Sequence, residues 1–228
     1  MTIGRAFLIG NGPSLTAEML DALVCEHTFA TGRIHLMFDK VGWRPEHYVR
    51  SETVNANINT LVADIRVMLA SSARCWLSEG WKGFYELYKM QTIPEGIVEW
   101  IKTCEEHTFL SARDEGVPWN WHLPELCGFG SSLHVAMQIA ANLGYNPLYL
   151  IGCDLGYGRG YNQPDHFTPN YHEEGDVLRA PDATNRLLLA AHGNAAMNRK
   201  VKIINCTPGG ELECYYRKDF WKVLDEPD

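Results

Sequence analysis

Three short segments place glycines, hydroxyls and a carboxylate directly after or before apolar runs. Gly10-Asn11-Gly12-Pro13-Ser14 follows RAFLI at 5–9. Its two glycines let the backbone approach a ligand closely, and the free N–H groups of a following helix attract a phosphate. The pattern is neither GxGxxG nor a P-loop with its lysine, so a plain strand-to-helix turn stands as the alternative. Gly128-Phe129-Gly130-Ser131-Ser132 opens a second helical pattern. Its hydroxyls either hold a polar ligand element or cap the helix. Gly152-Cys153-Asp154 closes the apolar run 147–151, with Tyr157 three residues on. A carboxylate at the end of a buried strand can hold a ribose hydroxyl, a metal or a substrate amine, or simply cap a turn.

Asp165-His166-Phe167 and Tyr171-His172-Glu173-Glu174 lie in the polar stretch beyond. Histidine is the natural general base near neutral pH, which makes His166 the first candidate and His172 the second. A solvated loop is the alternative. The spacing of the two histidines fits no regular metal-ligand pattern, and no metal site is assigned. His107, His122, His134 and His192 stand alone in the sequence and read as structural or exposed. The Trp and Tyr residues between 80 and 121 can stack a sugar or base, but such rings more often fill a core.

The elements that must position these residues follow from periodicity. RAFLI reads as a buried strand. A helix from Ser14 or Thr16 to about Val24 has Met19, Leu20 and Leu23 on one face. Residues 33–38 read as a strand or short helix, and His47-Tyr48-Val49 and Cys75-Trp76-Leu77 as short strands. Asn57 to Leu69 is helical by spacing. So are Ser132 to Asn142, with Gly144 as a C-cap, and Ala183 to Met197. Residues 147–151 and 201–205 read as strands. The stretch 80–126 is poorly patterned and reads as an insertion or lid, with some helix from Gly96 to Glu106. Alternating apolar strands, turns and helices predict an α/β fold. The expected form is a doubly wound, Rossmann-like parallel sheet with helices on both faces and an irregular insertion. Ligands of such sheets bind beyond the strand C-termini, where Gly10–Ser14, Asp154–Tyr157 and Thr207–Gly210 fall.

At 228 residues the chain is the size of one domain, and 46% apolar with 21% charged residues excludes global disorder. No apolar run approaches the roughly 18 residues of a membrane span. The first 15 residues show no secretory pattern, so the expected location is the cytoplasm. A net charge of −8 argues against nucleic-acid binding without excluding a local phosphate pocket. Cys25, Cys75, Cys104, Cys127, Cys153, Cys206 and Cys214 are odd in number and lack CxxC spacing, which fits reduced thiols.

GNGPSL, TFATGRIHLMFDKVGWRPEHYV, GSSLHVAMQIAANLGYNPLYLIGCDLGYG, DHFTPNY and VKIINCTPGGELECYYRKDF, in this order, resemble the DUF115 or MptE-like group. The likeness covers roughly 1–50 and 128–222 and fades across 80–126. The same blocks are more distantly similar to the bacterial sialyltransferases of glycosyltransferase family 42. That resemblance implies a nucleotide site for cytidine monophosphate built from Gly10, Asn11, Gly12 and Ser14, with Ser131, Ser132, Gly152 and Asp154; Pro13, Gly32 and Tyr157 complete the expected nucleotide-binding set. It implies His166, or else His172, as base, and no metal. Asp154 would fix the ribose or the acceptor. Gly32 stands where the group carries a nucleotide-holding Asn, and Arg50 and Ser51 stand where Asn or Asp is common. The implied partners are a nucleotide or nucleotide sugar and a glycan acceptor. The MptE-like alternative implies a 6-hydroxymethylpterin diphosphokinase using ATP and Mg²⁺, with Asp154 and Asp165 toward the metal and aromatics of 80–121 on the pterin. A non-catalytic nucleotide- or glycan-binding protein is the third reading, favoured by Gly32.

Overall fold

The computed structural model describes residues 3–51, 58–90, 98–104, 122–128, 131–158, 165–172, 181–198 and 200–227. Strand β1 (Gly4–Ile9) is buried on both sides, which is why RAFLI is apolar without alternation. On one side of it lie β2 (Thr28–Thr31), β3 (His47–Arg50), β4 (Arg74–Ser78), β5 (Val98–Cys104) and β6 (Glu125–Cys127). On the other lie β7 (Tyr145–Ile151), β8 (Ile203–Asn205) and β9 (Tyr216–Arg217). All these strands pair in parallel, in the order β6-β5-β4-β3-β2-β1-β7-β8-β9.

Helices α1 (Ala17–Asp21), α2 (Ile58–Ser71), α3 (Lys82–Leu87), α4 (Ser132–Leu143), α5 (Pro181–Ala196) and α6 (Phe220–Leu224) cover the sheet. Phe7 and Ile9 pack with Leu20 of α1, Ile65 of α2 and Phe220 of α6. Ala6 and Leu8 face the other way, onto Val135 and Ile139 of α4 and Ala191 of α5. Helices on both faces of a parallel sheet make this the doubly wound, Rossmann-like fold that the sequence predicts.

Local chemistry sets the element ends. Thr16 accepts the Met19 N–H and starts α1, which ends at Asp21, short of the expected Val24. Gly144 at φ +96 closes α4, as its position predicts. Pro147 lacks an N–H, and it falls where the β1–β7 register shifts between Gly4 and Ala6.

Of the strand or short helix expected at 33–38, the short helix forms: Gly32 turns the chain at φ +60, a 3₁₀ turn follows at Ile34–Met37, and a strand precedes it at Thr28–Thr31. The helix expected from Gly96 to Glu106 needs correction: its described part, Val98–Cys104, is β5, because Val98, Trp100, Ile101 and Thr103 are β-branched or aromatic. The stretch 80–126 thus contributes β5 and β6 to the sheet, while residues 105–121, including Trp119 and Trp121, lie outside the described residues. Trp81 is a core side chain at 1% exposure. Cys25, Cys75, Cys127, Cys153, Cys206 and Cys214 are free thiols. Among the described residues, no helix is long and apolar enough to cross a membrane.

Candidate functional site

The strand order reverses between β1 and β7, and the turns that follow these two strands meet. Gly10 N–H donates to Ile151 O and Gly12 N–H to Gly152 O, both at 2.8 Å. A Cβ at Gly10 would run into the Gly152 carbonyl, and one at Gly12 into the Asp154 carboxylate. These glycines are small because the two loops touch each other. Asp154 Oδ2 accepts the Ser14 hydroxyl at 2.8 Å and the Ser14 N–H at 3.4 Å. Asp154 O accepts the Glu211 N–H at 2.7 Å, so the loop after β8 joins the cluster. Burial pushes the Asp154 carboxyl above its ordinary value, against the lowering effect of the Ser14 bonds.

Beyond Asp154 the chain turns through Leu155 at φ +54 and Gly156 at φ +82. A left-handed leucine is unusual and must be held in place. Asn185 of α5 does so: its Oδ1 accepts the Gly156 and Tyr157 N–H groups at 3.1 and 2.9 Å, and its Nδ2 donates to Tyr157 O at 2.9 Å. Burial raises the Tyr157 phenol, which stays protonated at neutral pH.

The 165–172 loop lies across these turns. Asp165 Oδ1 accepts the Gly158 N–H at 2.7 Å. Phe167 N–H donates to Asn11 O at 3.0 Å, and His166 Nδ1 meets the same carbonyl at 3.2 Å. A carbonyl only accepts, so Nδ1 carries the proton and Nε2 keeps its lone pair. The His166 ring stacks on Tyr171 with centroids 3.8 Å apart and meets Tyr157 and His172 edge-on at 5.7 and 4.9 Å. Burial, with the nearby His172 adding to it, lowers the His166 pKa to about 4, so the ring is neutral at pH 7. His172 is exposed.

Gly32 closes the rim at the end of β2. A Cβ there would strike the Tyr171 hydroxyl and, at 2.7 Å, Asn11 Nδ2. Asn11 Nδ2 donates to Thr31 O at 3.0 Å, while its Oδ1 is buried with no hydrogen-bond partner among the described residues. The structure therefore brings together Gly10, Asn11, Gly12, Ser14, Gly32, Gly152, Asp154, Tyr157, His166 and His172. Pro13 sits exposed on the same turn. Ser131 and Ser132 belong to the end of β3, two strands away. Ser131 caps α4 by accepting the Leu133 N–H, and Ser132 Oγ accepts the Ser51 N–H at 2.9 Å and lies 3.1 Å from Ser51 Oγ.

Sequence reasoning missed Arg33, Asp64 and Asn185, noted Ser51 only as a departure from the group's pattern, and gave no role to Tyr171. Tyr171 lay within the quoted DHFTPNY motif, and Arg33 adjoined Gly32. Asp64 and Asn185 sit inside helices and carried no signal. His134 and His192, isolated in the sequence, are buried side by side with centroids 4.2 Å apart.

The sequence matches no family model and no curated protein. Among solved structures it is similar to the MAf glycosyltransferase from Magnetospirillum magneticum AMB-1, with a TM-score of 0.60 and 17% identity. The match covers 95% of this chain and 34% of that one, so the chain spans about a third of its neighbour's length. At this identity the likeness is one of architecture: the chain has a glycosyltransferase-like α/β fold.

Proposed function

We propose that the chain is a nucleotide-dependent glycosyltransferase that moves a sugar from a nucleotide-sugar donor, of the CMP type, to a glycan hydroxyl in cytoplasmic steps of surface-glycan synthesis. The observation that carries this reading is His166, neutral and held by the Asn11 carbonyl over the β1–β7 crevice, with its Nε2 lone pair unused by that bond. The fold shared with a glycosyltransferase supports it.

In this reading the 10–14 turn and the 152–157 turn receive the nucleotide, with the buried Asn11 Oδ1 as an acceptor awaiting a donor group. Asp154 holds the two turns in register through Ser14. His166 Nε2 takes the acceptor hydroxyl proton. The oxygen's electron pair forms the new bond to the anomeric carbon, and the pair of the breaking C–O bond leaves on the nucleotide phosphate. With a pKa near 4, His166 accepts that proton only as the acceptor oxygen forms its bond. Tyr157, its phenol held protonated by burial, and Tyr171 flank the His166 ring.

The test is a thermal-shift and calorimetry panel with CMP, CDP, UDP, GDP, ADP and ATP, each with and without Mg²⁺. A ligand that binds only the native state raises the melting temperature by mass action. Stabilisation by CMP without metal is the expected result. Stabilisation by ATP only with Mg²⁺ would replace this reading with the pterin diphosphokinase. No response to any nucleotide would leave a non-catalytic glycan-binding protein.

A further inference from the structure

We infer that Arg33 is a positioning residue: braced by the buried Asp64, it clamps the 165–172 loop to the end of β2 and so sets where His166 stands. The functional weight of the clamp rests on His166 as the base; its existence does not.

Arg33 holds Tyr171 at two points. Its Nη1 donates to Tyr171 O at 2.6 Å, and its own backbone N–H donates to the Tyr171 hydroxyl at 3.0 Å. The rest of the guanidinium faces Asp64 of α2, with Nε 2.9 Å from Oδ2 and Nη2 3.4 Å from Oδ1. That carboxylate is 6% exposed, and His35 Nε2 meets its Oδ1 at 3.1 Å. One planar fork thus spans a helix carboxylate and a loop carbonyl. An ammonium is a point charge and cannot bridge both in that geometry. From Tyr171 the constraint passes to His166 through the stacked rings. Gly32 gives an independent sign that this end of β2 is shaped for Tyr171. It adopts φ +60 and lacks the Cβ that would displace the Tyr171 hydroxyl. The loop is therefore tied at one end to Asn11 and at the other to Arg33, with His166 next to the first tie and stacked on the residue that makes the second.

Two variants of the full chain test this. Arg33→Lys keeps a cation for Asp64 and loses the fork. Arg33→Met combined with Asp64→Asn removes both charges, so that no lone buried carboxylate is left to unfold the protein. Three quantities are read: the melting temperature, amide exchange at Phe167 against Phe7 and Leu8 of β1, and the His166 titration by NMR. In both variants Phe167 should exchange at least about tenfold faster while the β1 amides keep their protection. The His166 midpoint should climb from about 4 toward its ordinary 6.5 as the ring leaves its buried slot. A purely structural ion pair would be rescued by Arg33→Lys. Wild-type exchange at Phe167 and an unmoved His166 midpoint in that variant would overturn the clamp, as would equal acceleration at Phe7 and Leu8. CMP calorimetry on the same samples separates the two ideas. Wild-type protein that ignores CMP counts against the nucleotide reading, and the clamp is still judged by exchange and titration.

Discussion

The Ser14 hydroxyl and the Asp154 carboxylate, one after β1 and the other after β7, lie 2.8 Å apart across the point where the strand order reverses. Their bond fastens the two loops whose glycines have already allowed the backbones to touch. The carboxylate that the sequence offers as a ligand is also the bolt of the crevice.

Asp154→Asn should reveal the cost of that buried charge. The folded-state pKa is raised above the ordinary 3.8, so the folded state holds its proton more tightly than the unfolded one. The group's stabilising contribution is then fully present below 3.8 and is lost as pH rises through the raised value. The stability of Asp154→Asn relative to wild type should therefore improve between pH 4 and pH 7, read from urea midpoints. A difference that does not change with pH would refute the raised pKa.

Gly12→Ala should destabilise the protein by about 1–3 kcal/mol, because the new methyl overlaps the Asp154 carboxylate. Gly193→Ala is the control. Gly193 lies inside α5 with open space around its missing Cβ, and alanine there should stabilise by roughly 0.5–1 kcal/mol. Denaturant melts of the two variants should move in opposite directions.

Ser132→Ala removes the acceptor of the buried Ser51 N–H and should cost about 1–3 kcal/mol. Ser131→Ala loses only a helix cap, at about 1 kcal/mol. If ligand binding survives Ser132→Ala once folding is restored at lower temperature, Ser132 serves the β3–α4 junction alone.

His134 and His192 should set the acid limit of the fold. Burial lowers His134 to about 3 and holds His192 well below its ordinary value, with the neighbouring His134 adding to the lowering of His192. Both contribute stability above pH 6.5 that is lost as pH falls below it, because the unfolded chain takes up protons first. His134→Leu cannot take up that proton. Its stability relative to wild type should rise steadily from pH 6.5 to pH 4 in urea melts, and a flat difference would refute the prediction.

The parallel sheet and the loops at the switch point were legible because each feature is local. An apolar strand, a glycine turn and a helix cap lie within fifteen residues at 5–19, and a helix with both of its caps within fourteen at 131–144. What was not legible depends on contacts across the chain. Whether Gly12 is small for a phosphate or for Asp154 is decided by a loop well over a hundred residues away. Arg33 becomes informative only when Tyr171 is seen on it. The strand Val98–Cys104 was hidden for a different reason. At the sheet's far end its apolar pattern is diluted by Glu99 and Lys102, and its β-branched residues were the better guide.

The strand order also dictates a sequence of events during synthesis. From β1 to β6 every strand pairs with its neighbour in the chain, so this half of the sheet can assemble by short closures as it emerges. β1 must then wait for β7, where Phe7 pairs with Tyr149, and such distant pairings form slowly. Until residues 145–151 are made, one edge of β1 is open and the first glycine turn has nothing to lean on. The crevice is thus the seam at which an early-folding half is closed by a late one. A nascent chain halted before Ile151 would expose the β1 edge rather than a partial binding site.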